Sequence, residues 1–247
     1  MVCNFYGIYI PEDKKRFQVA QENDLVKICD YLKTDVSKLK QAKIEVFDSR
    51  EGKQSADPHH SISRASARFG ETTIYRYWVP GDDIHFPHET THLVAHTWTK
   101  PYSWEVELDT WDNKKIKKTL ELVSTSFMQE GLAIAVDDIV FGRKLLEEGE
   151  LKFIDDWCRE QKEQMPKSLL GVINLAGFGS FPNKVVVPFS ASFSKYLLQT
   201  FGVDKYKEMY VALREINTPE ENVKSIERIY QQQENELFGG WSRSLGL

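Results

Sequence analysis

The alternation of apolar and polar residues predicts a small β-sheet region in the early part of the chain. Residues 43–47 alternate and predict one strand. Residues 72–79, rich in β-branched and aromatic side chains, predict a second strand that ends at Pro80-Gly81. Apolar residues three and four positions apart predict a helix over residues 24–36, and the polar stretch 50–60 predicts a loop.

After Pro87 the spacing of the apolar residues becomes helical. It predicts helices over residues 88–98, 120–141, 144–164, 190–201, 204–215 and 220–237. Residues 171–188 are rich in glycine and proline and predict a loop, and residues 104–108 alternate as in a short strand or an extended loop. We therefore expect one α+β domain over residues 1–247, with a small mixed sheet region (about 1–86) followed by a mainly helical C-terminal lobe (87–247).

Composition fits a globular protein and argues against several partners. Of the 247 residues, 41% are hydrophobic and 12% aromatic, which is enough for a core. The formal net charge is −5 and the basic residues are scattered, so we do not expect nucleic acid as a partner. The three cysteines form no CxxC pair, and no apolar run is long enough for a membrane span. No signal peptide is visible, so the compartment stays open: cytoplasmic, or secreted if a leader has been removed.

The run His88-Glu89-Thr90-Thr91-His92 carries the strongest chemical pattern. Residues four apart lie on one face of a helix, so both imidazoles can reach one zinc ion at about 2.0–2.1 Å. Glu89 points to the side, where it can take a proton from a metal-bound water whose pKa the zinc lowers to about 7. The pattern fixes only three positions, and a surface helix with two histidines is the alternative.

Glu130 is the candidate third ligand. It is one carboxylate inside an otherwise apolar helical stretch, where an unpaired charge would be costly. Zinc of this type takes three protein ligands and keeps a fourth position open. Gly131 would let another backbone or the metal helix approach closely. Asp137, seven residues on, is a candidate acceptor for the second ring N–H of His88 or His92; the alternative for Glu130 is an ordinary helix-surface carboxylate.

The other histidines have weaker claims on the metal. His96 shares the face of His88 but stands about 12 Å from it along the helix, so we expect it to pack beside the ligands instead. His59 and His60, in the predicted loop, and His85, just before the helix, are candidates to bind substrate.

The order of a strand, a His-Glu-x-x-His helix and Glu-Gly-Leu-Ala on a second helix resembles the gluzincin metallopeptidases, such as the thermolysin-like enzymes and aminopeptidases. The chain is most similar to the compact peptidase MA-like domains, from about residue 44 to 211, where residues 192–202 resemble a late helix of that family. The resemblance implies a zincin-like fold, one Zn²⁺ ion on His88, His92 and Glu130, and Glu89 as the base. It also implies a peptide or protein substrate that pairs with the strand at 72–79.

Two positions depart from the family pattern. The residues before Glu130 lack the tryptophan or asparagine that relatives often show, so no site that reads an amino terminus is expected. Val187 stands where relatives carry a tyrosine that stabilises the oxyanion, and valine has no donor. Tyr196 is the candidate catalytic residue in its place, although a core tyrosine is the alternative; Tyr102, His96 or a backbone N–H are other candidates.

The expected function is therefore that of a zinc-dependent metallopeptidase or a related amide hydrolase. Val187 motivates an alternative, a zincin-like binding or scaffold protein that is catalytically weak or inactive. A third hypothesis is a metal-free regulatory domain in which Glu130 contacts an arginine or lysine. A peptide deformylase is disfavoured, because its third ligand is a cysteine upstream of the histidine motif, and no cysteine lies nearby here.

Overall fold

The computed structural model describes residues 1–58, 65–67, 72–99, 125–213 and 217–247. The chain divides into two compact units, Met1–Pro101 and Tyr102–Leu247. The described part of the first unit holds a mixed four-stranded sheet, and that of the second is mainly helical, which confirms the α+β class. The division into lobes 1–86 and 87–247 of one domain stays a prediction. The segment predicted at 104–108 lies outside the described residues.

The first unit alternates strands and helices. Its elements are β1 (Val2–Tyr6), α1 (Pro11–Tyr31), β2 (Lys43–Phe47), α2 (Arg50–Ala56), β3 (Ala65–Ala67), β4 (Thr73–Tyr77) and α3 (Pro87–His96). The two predicted strands are confirmed as β2 and β4. Of the helix predicted at 24–36, residues 24–31 form the last part of the longer α1, which ends at Tyr31; β1 was not predicted. The loop predicted at 50–60 is wrong over residues 50–56, because the Ser49 hydroxyl accepts the Gly52 N–H at 3.2 Å and begins α2.

The sheet has the strand order β1-β2-β4-β3, with β1, β2 and β4 parallel and β3 antiparallel to β4. One face carries the buried side chains of Ile44, Val46 and Ile74. Helix α1 supplies Phe17, fully buried, whose ring lies 5.6 Å from that of Phe5. Strand β4 is paired on both edges, so the expectation that it pairs with an extended substrate is wrong; β3 is the outer strand on that side.

The second unit contains helices and one short hairpin. Its described elements are α4 (Thr125–Phe141), β5 (Leu145–Glu147), β6 (Glu150–Lys152), α5 (Ile154–Glu160), α6 (Leu175–Phe178), α7 (Asn183–Phe201), α8 (Val203–Ala212), α9 (Pro219–Tyr230) and α10 (Glu234–Leu245). The helices predicted at 190–201 and 204–215 are confirmed within α7 and α8, and that at 120–141 from residue 125 onward. Residues 120–124 and 214–216 lie outside the described ranges.

Three predictions in this unit are wrong. Residues 144–164 do not form one helix, because Glu148 and Gly149 adopt positive φ angles of 48° and 85° and turn the chain into the β5–β6 hairpin before the short α5. The loop predicted at 171–188 contains α6 and the start of α7. The helix predicted at 220–237 is two helices, since Gln231 takes the left-handed conformation and ends α9.

Helix α7 forms the centre of the second unit. Phe189 and Phe193 on α7 are fully buried and lie 6.1 and 6.2 Å, ring to ring, from Phe127 of α4. On another side they pack against Phe238 and Trp241 of α10. The position of α4, which carries Glu130, is therefore set largely by α7. Among the described helices, none is long and apolar enough to cross a membrane.

Candidate metal centre

Helix α3 presents the two histidines of the motif. It begins at Pro87, where a missing N–H is tolerated, as the sequence predicts. The segment before it is held by α1: the Gln21 amide donates to the Ile84 carbonyl, and His85 Nδ1 lies 3.0 Å from both oxygens of Asp24. Burial raises the pKa of the Asp24 carboxyl, and the hydrogen bond from His85 opposes part of that shift. His85 thus pairs with α1, while its proposed contact with substrate stays a prediction.

The rings of His88 and His92 converge through their Nε2 atoms. These atoms are 3.1 Å apart, with ring centroids 4.7 Å apart and ring planes at 84°. Two nitrogens bound to one tetrahedral zinc at about 2.05 Å would stand about 3.3 Å apart. The observed separation is close to that value. The side chains are therefore arranged as a ligand pair, with His92 buried and His88 partly exposed.

Glu130 completes a group of three. One ligand atom from each of His88, His92 and Glu130 lies within 4.8 Å of the other two. Two imidazole nitrogens and one carboxylate are a donor set that zinc uses when a fourth position stays open. The three residues fit a single metal ion, as predicted, and the hypothesis that placed Glu130 away from the histidines is wrong.

A glycine next to Glu130 lets α7 approach α4 closely. A Cβ at Gly131 would stand 2.5 Å from Ser194 Oγ and 2.7 Å from the Ser190 carbonyl oxygen. Both distances are shorter than real Cβ atoms show. The prediction that Gly131 admits another backbone is confirmed, and that backbone belongs to α7.

The remaining residues of the two motifs have distinct positions. Glu89 lies in the first turn of α3 and is partly exposed. The ring of His96 is nearly parallel to that of His92, with centroids 6.2 Å apart, and His96 is not part of the group of three. Asp137 lies on α4, and its role as acceptor for a ligand histidine stays a prediction.

Tyr196, the first candidate for oxyanion stabilisation, packs among aromatic side chains and against Gly240. The Tyr196 hydroxyl fills the space beside Gly240 of α10, where a side chain at that position would otherwise stand. The Tyr196 ring lies 6.0 Å from that of Phe201, edge to face. Val187 packs against a buried apolar cluster that includes Ile134 and Ile154. A catalytic role for Tyr196 stays a prediction, and Tyr102, His59 and His60 lie outside the described residues.

A charged network on α7 was not predicted from sequence. Lys195 Nζ lies 3.0 Å from Asp138 Oδ2 and 2.8 Å from Asp155 Oδ2. Ser192 Oγ donates to Asp155 at 2.7 Å and accepts the Trp241 Nε1–H at 3.0 Å. The network joins α4, α5, α7 and α10. A lysine in a helix as apolar as α7 was the sequence signal that could have pointed to it.

No known protein family and no curated protein matches this chain. The likeness to gluzincins therefore rests on the motifs and on the three-residue group alone. That group can hold one metal ion, and its make-up and spacing are consistent with a zinc site of the His-Glu-x-x-His type.

Proposed function

We propose that this protein is a zinc-dependent metallopeptidase of gluzincin type. The observation that carries the proposal is the convergence of His88, His92 and Glu130 within 4.8 Å. Zinc held by two histidines and one carboxylate acts as a Lewis acid that acidifies water and polarises a carbonyl group. Peptide hydrolysis needs both effects, together with a base that handles protons beside the ion.

Glu89 is the proposed base. It follows His88 directly in the first turn of α3 and is partly exposed, a position that would let its carboxylate reach a metal-bound water. A carboxylate there can accept a proton from the attacking water and pass it to the departing amine. Tyr196 is the proposed donor to the oxyanion, which requires its hydroxyl to leave its place beside Gly240.

The proposed substrate is an extended peptide or protein segment. Since β4 is paired on both sides, the substrate would add to the outer strand β3 instead. The Ser66 hydroxyl of β3 donates to Asp57, which also pairs with Lys53 at 3.2 Å, and this buried group anchors the strand. A fixed strand is a better template for a peptide than a mobile one, because less ordering is needed on binding.

A second candidate is a zincin-like binding protein that holds the metal but turns over substrate poorly or not at all. It is favoured by Val187, which packs against a buried apolar cluster and has no hydroxyl to donate to an oxyanion. Tyr196 packed against Gly240 also favours it, unless that side chain moves. Both candidates share the metal site and differ in whether an oxyanion donor reaches it.

Metal content and peptide cleavage test the proposal together. We expect about one zinc per chain by elemental analysis. Glu89→Gln should keep that zinc and lower cleavage of a peptide library by about 10²–10⁴-fold, the usual contribution of a general base. Glu12→Gln is the matched control, because Glu12 is also an early helical glutamate after a proline, in the exposed first turn of α1.

The outcomes separate the candidates. If the purified protein contains no zinc and binds none after incubation with zinc salts, both candidates are contradicted. Zinc with no cleavage in the unsubstituted protein favours the binding protein. Cleavage that persists in Glu89→Gln refutes the assigned base.

A further inference from the structure

The strongest feature outside the metal ligands is a buried hydroxyl beneath the turn of α4 that carries Glu130. Tyr206 of α8 is completely buried, and its Oη lies 3.0 Å from the Met128 carbonyl oxygen and 2.9 Å from Ser194 Oγ. We propose that Tyr206 is a positioning residue for Glu130, which it holds in register through α4. This inference rests on the proposed function, because it assigns a role at the same metal site.

The direction of the two hydrogen bonds follows from the chemistry of the partners. The Met128 carbonyl can only accept, so the one hydroxyl hydrogen of Tyr206 is donated to it. Ser194 must then donate its own hydrogen to Tyr206 Oη. The result is a chain of donors, Ser194 to Tyr206 to Met128, that links α7, α8 and α4 in one direction.

These contacts lie on both sides of Glu130 in the sequence. Met128 precedes Glu130 by two residues, and Gly131 follows it directly and touches Ser190 and Ser194 of α7. The same Ser194 hydroxyl therefore faces Gly131 and orders the Tyr206 hydroxyl. The turn of α4 around Glu130 is therefore held on both sides. If it shifted along α7 or rotated, it would break the hydrogen bond from Tyr206 or bring Gly131 into a steric clash with α7.

The connection between α7 and α8 makes this arrangement possible. Gly202 takes a positive φ of 83°, ends α7 and lets α8 begin at the next residue. Tyr206 and Ser194, twelve residues apart, thereby become neighbours. A metal ligand must be held within about 0.5 Å of its productive position for full affinity. The hydroxyl of Tyr206 supplies part of that precision without touching the ligand itself.

A tyrosine that serves only to fill the core would behave differently when its hydroxyl is removed. It would change stability but leave zinc affinity unchanged as long as the protein is folded. Tyr230 provides that comparison, because it is 3% exposed and its hydroxyl has no hydrogen-bond partner in the described part of the chain. Tyr206→Phe and Tyr230→Phe remove the same atom from equally buried sites.

The test is zinc affinity at 25 °C, measured by competition with a chromophoric chelator, on proteins whose far-ultraviolet circular dichroism matches that of the unsubstituted chain. We expect Tyr206→Phe to weaken zinc binding about three- to tenfold, at or below the low end of effects seen for groups bonded directly to ligands. Tyr230→Phe should leave it unchanged. With Co²⁺ in place of zinc, the visible absorption should change in Tyr206→Phe alone, because it reports ligand geometry.

Each result decides the proposal. Equal affinities and equal Co²⁺ spectra for Tyr206→Phe and the unsubstituted protein overturn it. If Tyr206→Phe does not fold, Ser194→Ala takes its place, with an expected two- to threefold loss of affinity, on the order of a small outer-sphere effect; no loss there also overturns the inference. An unsubstituted protein that binds no zinc refutes the proposed function, and that failure is visible before any variant is made.

Discussion

Replacement of Gly131 by alanine is the sharpest test of how α4 and α7 fit together. In an exposed helix this change stabilises by about 1 kcal/mol, because alanine restricts the unfolded chain and favours the helix. At Gly131 the new Cβ would stand 2.7 Å from the Ser190 carbonyl oxygen, whereas ordinary contact begins at 3.4 Å. The Ser194 hydroxyl can rotate away only by losing its hydrogen bond to Tyr206, and the Ser190 carbonyl is backbone and cannot rotate away at all.

The expected magnitude follows from these opposing effects. Relief of the contact requires α7 to move from α4 by about 0.7 Å at this point. Overpacking of this kind costs about 1–3 kcal/mol, and a collision with backbone belongs in the upper part of that range. After the helix preference is subtracted, Gly131→Ala should lower the free energy of unfolding by about 1–2 kcal/mol. The melting temperature should fall by about 2–8 °C.

Gly239→Ala is the matched control. Gly239 is also a helical glycine, but a Cβ there would meet only Arg243 Nη1, at 3.2 Å, which is the mobile end of a long side chain. This variant should be more stable than the unsubstituted protein by up to about 1 kcal/mol. Urea unfolding followed by circular dichroism measures both, and opposite signs are expected. A Gly131→Ala protein as stable as the unsubstituted chain would refute the close packing of α7 on α4.

Two further predictions concern buried charges. Lys195→Met leaves Asp138 and Asp155 without their shared cation, and should lower the free energy of unfolding by about 2–4 kcal/mol at pH 7. That loss should shrink in urea titrations as the pH falls and Asp138, whose pKa is raised mainly by burial, takes up a proton; a loss independent of pH would contradict it. The pKa of Asp24 is raised mainly by burial, so the ionised form costs stability even beside His85. The stability of the unsubstituted protein relative to Asp24→Asn should therefore be greatest below about pH 4 and decline as the pH rises through the raised pKa. The prediction is checked by measuring the unfolding midpoints of both proteins as the pH is varied. A difference between the midpoints that does not change with pH would contradict it.

The charged network and the Tyr206 contacts depend on the same helix. Ser190, Ser192, Ser194 and Lys195 are polar residues in the mainly apolar middle part of α7. Ser190 and Ser194 contact α4 beside Glu130, while Ser192 and Lys195 face α5, α10 and the later part of α4. The polar side chains of α7 thus fix its neighbours instead of forming a second reactive centre. Ser192 stands three residues before Lys195, but it forms no such centre with it. Its side chain is fully buried and hydrogen-bonded to Asp155 and Trp241.

The sequence by itself determined the features that depend on local chemistry. The four-residue spacing of His88 and His92 places both rings on one helical face whatever the rest of the chain does. Pro87 fixed where that helix begins, and the alternation at 43–47 fixed a strand. Glu130 and Gly131 could be identified because a carboxylate and a glycine in an apolar helical stretch both need a tertiary reason.

Tertiary packing decided the rest, because the competing local preferences there are small. Pro188 favours an end to a helix, yet α7 runs through it, since Val185, Val186 and Phe189 are fully buried around it and offset the lost hydrogen bond. No glycine or proline marks the break between α9 and α10, where Gln231 turns left-handed. Contacts between residues far apart, such as Tyr206 with Met128, leave no periodic trace in a sequence. The candidate metal-binding residues were thus visible in the chain, whereas the contacts that position α4 were fixed only by the fold.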